Sequence, residues 1–314
     1  MSDTLLAVAA GLGGVLATRD ATRLDVDPNG LAALVTAGEL VHVRRGAYVL
    51  GQRWNDATPE QRLGLRTRAV LRARAGASEA ASHQSALALH GLPLHGCPTD
   101  VVDLSGDVAR TRNRTGLRVH PTDDALPVID LGGCRALGIV TALVQVGLRH
   151  GRDAFVVPGD AALARGDLPL ALVSETISRL GGSTRRAVRA HRWLQLLDAA
   201  SESPGESRTR LLLRDLGYVM QSQAPIEDAP GHVVARVDFL VGVDVVVEFD
   251  GVVKYGGADG RAALAAEKAR EDLLRALGYE VVRLVWADLD RPRVVDAKVR
   301  AAIARAKARL AASA

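Results

Sequence analysis

The stretch Val234-Ala-Arg-Val-Asp-Phe-Leu-Val-Gly-Val-Asp-Val-Val-Val-Glu-Phe-Asp-Gly251 decides the reading of this chain. Its Val-rich runs, broken by Gly242, predict a β-hairpin that carries Asp238, Glu248 and Asp250. With the odd loop Gly242-Val243-Asp244, Asp238 falls opposite Glu248 on one face. Asp250, two residues beyond Glu248, shares that face, while Phe249 points to the other. An even loop would separate the first two acids, so the cluster rests on register. Acids in a half-buried sheet cost free energy unless something pairs with them, and a divalent metal is the usual partner.

Working outward, 314 residues suffice for two or three domains, each with its own core. A hydrophobic content of 48% excludes a disordered chain. Charges interrupt every apolar run before membrane-spanning length, so no membrane partner is expected. The N-terminus has an acid at position 3 and no basic region ahead of its apolar residues, which reads as a first helix and not a signal peptide. Cys97 and Cys134 make no disulfide framework, and a reducing, cytoplasmic setting is the expectation. The net charge of +4 is compatible with a polyanionic partner without requiring one. Every basic side chain before Lys254 is Arg or His; the other lysines are Lys268, Lys298 and Lys307. Against that bias, two lysines soon after the acidic hairpin stand out, since Lys is a compact charge that can lose its proton and Arg cannot.

Three domains are expected. Residues 1–53 read as three helices and a hairpin, the last helix opened by Asp27-Pro28 and stopped by Gly38. That is the order of a winged helix, with Arg44-Arg45-Gly46 at the tip of the wing. Arg19 and Arg23, one turn apart on the second helix (which Thr18 would cap), join Arg44 and Arg45 as expected phosphate contacts on double-stranded DNA. A small three-helix domain with solvated arginines fits the same pattern. Residues 54–200 read as a mixed α+β middle region, with helices near 59–75, 82–90, 141–150, 153–164, 170–180 and 185–200, and strands near 101–104 and 116–120. Arg110, Arg112 and Arg114 alternate, as a basic row on a strand or as a solvated loop. Residues 201–314 read α-β-β-α-β-α, an α/β domain with a mixed sheet. Ser203-Pro-Gly-Glu206 opens its first helix with a capping-box pattern, and residues 280–286 form its last strand.

Asp, ten residues on Glu, then a third polar group two residues later, after a helix bearing Glu206, is the arrangement of a metal-dependent phosphodiester cleaver. Residues 202–289 resemble the very-short-patch-repair-like branch of the PD-(D/E)XK nuclease superfamily. The resemblance is carried by Glu206 with Arg210, Arg236-Val-Asp238-Phe239, Glu248-Phe-Asp250-Gly251, Glu267-Lys-Ala-Arg-Glu271 and Arg283-Leu-Val-Trp286. It implies a restriction-endonuclease-like fold in which Asp238 and Glu248 hold Mg²⁺ or Mn²⁺ and Glu206 binds metal or orients water. The superfamily's motif Lys falls at position 250, where this chain has Asp250. Lys268, in the Glu-Lys-x-Arg-Glu pattern, is the first candidate for a migrated cation, and Lys254 the second. The N-terminal portion is similar to AbiEi-type antitoxins, through Val43-Arg-Arg-Gly-Ala-Tyr48 and Ser82-His-Gln-Ser-Ala86 with Leu89-His-Gly-Leu92. That similarity is diffuse, and implies a winged helix and a middle domain.

Plainer readings compete. Glu206 fits as the N3 partner of Ser203 in a cap. Lys268 with Asp272, and Glu271 with Arg275, fit as solvated i,i+4 pairs. Asp250-Gly251 fits as a turn. Neither cap nor turn explains Asp238 and Glu248 inside Val-rich strands. His83, His90, His95 and Cys97 have the element types of a zinc site, but their spacing is irregular. Ser82-His83 and Ser85 lack a third catalytic member. The expected function is therefore a DNA-binding, Mg²⁺-dependent endonuclease. The alternative is an antitoxin or transcriptional regulator with a cognate toxin, whose nuclease-fold domain no longer cuts.

Overall fold

The computed structural model describes residues 2–74, 78–123, 126–228, 230–251 and 268–313, which form a mixed α/β chain. It divides into two compact units, Met1–Leu197 and Asp198–Ala314. No described helix is long and apolar enough to cross a membrane.

The first unit opens with α1 (Ser2–Gly11), β1 (Val15–Ala17), α2 (Thr18–Thr22), α3 (Pro28–Thr36), β2 (Leu40–Arg44) and β3 (Ala47–Leu50). The three strands form an antiparallel sheet in the order β1-β3-β2. Leu5, Leu16, Leu31 and Leu40 pack together beneath it. As its sequence dictates, α3 starts at Asp27, whose Oδ1 accepts the Gly30 N–H at 2.7 Å. Strand β1 was not expected, because three apolar residues after a helix carry no alternation to read.

The expected Thr18 cap of α2 is a correction. The cap residue is Ala17, and its N–H donates to Asp20 Oδ2 at 2.8 Å. Asp20, only 4% exposed, also receives both arms of Arg72 at 2.6 and 2.7 Å. Arg72 belongs to α5 (Pro59–Ala73), itself capped by Thr58 and Gln61. The expected boundary at 53/54 thus falls inside the first compact unit. Burial pushes the Asp20 carboxyl upward, but Arg72, the Ala17 N–H and Arg19 outweigh it and hold the group below its ordinary value. A depressed carboxyl contributes stability that is present above its unfolded value and is lost as pH falls through the folded one. Asp20→Asn is expected to cost about 2 kcal/mol in urea unfolding at pH 7. The gap from the native chain should close below roughly pH 4.

After α4 (Gly51–Asp56), the unit continues with β4 (Ala80–Ala81), α6 (His83–Leu89), β5 (Val102–Gly106), β6 (Arg112–Arg114), β7 (Leu117–Pro121), β8 (Val128–Asp130) and β9 (Arg135–Leu137). These strands make a six-stranded sheet in the order β6-β7-β5-β4-β9-β8. Pairs β5–β7 and β4–β9 are parallel and the rest antiparallel. Arg112 and Arg114 are exposed on its edge strand, while Arg110 lies before the strand begins. Four helices follow: α7 (Ile139–His150), α8 (Arg152–Ala164), α9 (Leu170–Gly181) and α10 (Arg185–Leu194). The last ends well short of the expected residue 200.

The second unit comprises α11 (Pro204–Asp215), β10 (Met220–Glu227), β11 (Val233–Val241), β12 (Val245–Phe249), helical residues 268–276 (α12), β13 (Glu280–Leu284), α13 (Trp286–Leu289) and α14 (Pro292–Ser313). Its mixed sheet runs β10-β11-β12-β13, antiparallel except for the β12–β13 pair. Valines 245–247 on β12 are all buried, because both sheet faces are covered. Val245 and Val247 pack with Val295, Val299 and Ala302 of α14 on one face, and Val246 with Leu274 of α12 on the other. Two expectations are corrected. Strand β10 precedes the hairpin, and the last strand ends at Leu284, because the Val285 N–H turns to the Asp288 carboxylate at 3.0 Å and opens α13.

Candidate functional site

The expected register is the observed one. Val241↔Val245, Leu240↔Val246 and Phe239↔Val247 bracket a three-residue loop, which brings Asp238 opposite Glu248. There the backbone ladder gives way to a side chain, as the Phe249 N–H donates to Asp238 Oδ2 at 2.8 Å. On its other flank Asp238 lies opposite Gln223, between the pairs Ser222↔Phe239 and Ala224↔Val237. Gln223 has φ +48°, a left-handed conformation costly for a residue with a side chain. At this kink both strands change sides. Met220 and Phe239 belong to the α14-facing core, whereas Ala224, Ile226 and Val237 belong to the α12-facing one. The twist places Asp238 at the break between the two cores.

Glu206, in the first turn of α11, is 9% exposed. Its N–H donates to Ser203 Oγ at 3.1 Å, the expected cap. Its carboxylate does not close the expected box on Ser203. Instead Oε2 accepts the Glu202 N–H at 2.9 Å and Gln223 Nε2 at 3.0 Å. Gln223 in turn accepts Arg236 Nε at 2.8 Å, so one amide ties the helix carboxylate to the kinked strands. Burial, then the charges of Glu206 and Glu248, push the Asp238 carboxyl up to about 6, although the Phe249 N–H and Arg270 pull against them.

Glu248 is 7% exposed, and its Oε1 lies 2.8 Å from an Arg270 guanidinium nitrogen; Arg283 lies 3.9 Å from Oε2 and also holds Glu271 at 3.1 Å. Arg270 donates as well to the Arg236 carbonyl. Among the described residues, the helix-borne cation that reaches the acids is Arg270, which the sequence presented only as one letter of the Glu-Lys-x-Arg-Glu pattern. Lys268 is exposed on the same helix, and Lys254 and Glu267 lie outside the described residues. Asp250 follows β12 half-buried, its N–H donating to the Leu284 carbonyl at 2.8 Å.

The expected phosphate contacts divide into two kinds. Arg23 and Arg45 are exposed. Arg19 donates to the Arg72 carbonyl and Arg44 to the Thr115 carbonyl, so both are half-buried and turned onto backbone. Helix α3 carries no basic residue.

In the first unit, His83, His90, His95 and Cys97 do not gather. His90 Nε2 contacts the Leu137 carbonyl at 3.0 Å. Burial, with the charges of Asp103 and Glu60, pushes the Cys97 thiol up to about 12. Ser85 Oγ is occupied by the Asp103 N–H at 2.8 Å. His83 meets Asp103 and His120 instead. Among the described residues, these form the one group of three His, Cys, Asp or Glu side chains placed to hold a metal ion, with ligand atoms within 4.8 Å of one another. Burial and the adjacent His120 push His83 down to about 3, leaving a neutral imidazole. No protein-family model matches the chain, and no curated protein matches it.

Proposed function

We propose that this chain is a cytoplasmic DNA-binding protein whose second unit is a Mg²⁺- or Mn²⁺-dependent endonuclease domain of PD-(D/E)XK type. The observation that carries the reading is the Asp238 carboxyl, desolvated and crowded by Glu206 and Glu248 at the point where two strands kink. A site that raises the cost of its own negative charge suits a divalent cation. The residues present fit one, with Asp238 and Glu248 as ligands and Glu206 as ligand or water-orienting base. When bound, the ion supplies electrophilic stabilisation of the scissile phosphate and a more acidic water. The protein's own part is positional. Gln223 fixes the Glu206 carboxylate, and the Phe249 N–H fixes one oxygen of Asp238. Arg270 stands where a cation can balance charge on the phosphate, though as Arg it does not act as a base.

The order α1-β1-α2-α3-β2-β3, with β1 completing the sheet, supports a winged helix in residues 1–53, ahead of an AbiEi-like middle domain. Arg23 and Arg45 are the exposed cations available to phosphate, and the neutral α3 favours backbone contact over base reading.

A second reading has its own observation. The Arg270 guanidinium pairs with Glu248, one of the proposed ligand carboxylates, and Asp250 replaces the motif Lys. Both suit a regulator or antitoxin whose nuclease fold binds without cutting. Supercoiled plasmid incubated with the purified protein separates the two. Metal-dependent nicking or linearisation is expected with Mg²⁺ or Mn²⁺ and not with EDTA. A salt-sensitive mobility shift with no cleavage in either metal would leave the regulator reading standing.

A further inference from the structure

We propose that His83, Asp103 and His120 form a second metal site, for a transition ion of the zinc class, independent of the acids in the other unit. The three residues come from neighbouring parts of the six-stranded sheet. His83 follows β4, Asp103 lies on β5 and His120 on β7, and β5 and β7 run parallel with Ser105 opposite His120. Asp103 and His120 therefore share a face of the sheet.

Each ligand is already held by its other polar atom, as ligating side chains are in metal sites. His83 Nδ1 is 3.1 Å from Ser82 Oγ, which leaves Nε2 to coordinate. His120 Nδ1 is 3.3 Å from Thr111 Oγ1, and its Nε2 is 2.6 Å from Asp103 Oδ1. Asp103 Oδ2 accepts Gln84 Nε2 at 2.6 Å, so Oδ1, which pairs with His120 Nε2 in the absence of an ion, is the oxygen that faces the site. The two imidazoles stack with centroids 4.2 Å apart. Bonds of about 2.0–2.2 Å in a tetrahedron set ligand atoms roughly 3.3–3.5 Å apart, so the wider gaps, up to 4.8 Å, close and the 2.6 Å His120–Asp103 hydrogen bond opens as the ion enters.

The surroundings are not those of a self-satisfied polar core. Fully buried Gln84 has an Oε1 with no hydrogen-bond partner, and so does the buried Nε2 of His150. His83 is held at φ +50°, its N–H donating to Gln145 Oε1 at 3.0 Å. The Arg118 guanidinium, 3.6 Å from Asp103 Oδ2, limits the charge the carboxylate contributes, which favours a borderline ion held by nitrogen over a hard one such as Mg²⁺. His83 and His120 are each 8% exposed, so a solvent molecule can complete the coordination.

The test is titration of the EDTA-stripped, dialysed full chain with Zn²⁺ against a chromophoric chelator, with Co²⁺ absorption as a second readout. One ion per chain at micromolar affinity or tighter is expected, undisturbed by millimolar Mg²⁺. Affinity should fall at least roughly 100-fold in His83→Gln and His120→Gln, and stay unchanged in Cys97→Ser. Should those His variants fail to fold, X-ray absorption on the Zn²⁺-loaded native chain decides. Two imidazoles with oxygen ligands support the site, and sulfur or a single imidazole overturns it. Absence of stoichiometric binding, or undiminished binding in folded His83→Gln and His120→Gln, would also overturn it.

Discussion

Asp238→Ala is expected to remove metal-dependent DNA cleavage by at least about 1,000-fold, while DNA affinity measured without metal stays within about 3-fold of the native chain. Two effects of the substitution act together. It deletes the carboxylate that faces both Glu206 and Glu248, the proposed metal ligand, and it leaves the Phe249 N–H without its acceptor at the end of β12. Asp238→Asn separates them, because the amide oxygen still accepts that N–H while the charge is gone. It should cut as poorly as the alanine variant but unfold at a higher urea concentration. Arg270→Ala should reduce cleavage by roughly 10- to 100-fold and Lys268→Ala by less than about 3-fold, since Arg270 contacts Glu248 and Lys268 is exposed. Equal loss in the two would return the cationic role to a lysine. Faster cleavage in Arg270→Ala would mean that the ion pair blocks the metal.

What the sequence disclosed and what it hid have physical reasons. The Asp238–Glu248 pairing was legible because side-chain period is fixed at two and the odd Gly242-Val243-Asp244 loop sets the register. Caps at Asp27 and Ser203 were legible because helix starts are local chemistry. Strand β10, Met-Gln-Ser-Gln-Ala-Pro-Ile-Glu, was not, since its glutamines and Pro225 carry no hydrophobic alternation and proline is tolerated only because this strand lies at the sheet edge. Gln223 was hidden with it, although it holds Glu206 and forms the kink. The grouping of His83, Asp103 and His120 depends on strand order in a sheet whose β4, β8 and β9 are only two or three residues long. No spacing rule spans such a sheet.

Gly205→Ala is expected to destabilise the second unit by about 3 kcal/mol and to weaken cleavage with it. A methyl group at this position would lie 1.9 Å from Phe249 Cε1, inside the aromatic ring, so Phe249 must move. The ring has little freedom to do so. It meets Trp286 edge-on with centroids 4.9 Å apart, and Trp286 is covered in turn by Arg208, which is anchored to Asp290 at 2.7 Å. Displacing Phe249 also drags the backbone N–H that holds Asp238, so a packing defect on one face of β12 becomes a misplaced carboxylate on the other. A double-mutant cycle with Phe249→Leu isolates this coupling, because the smaller side chain makes room for the methyl. The pair should be at least 1 kcal/mol more stable than the sum of the two single losses, by roughly the clash that is relieved. Additive losses in urea unfolding would mean that the ring yields freely and that Gly205 has no part in positioning the site.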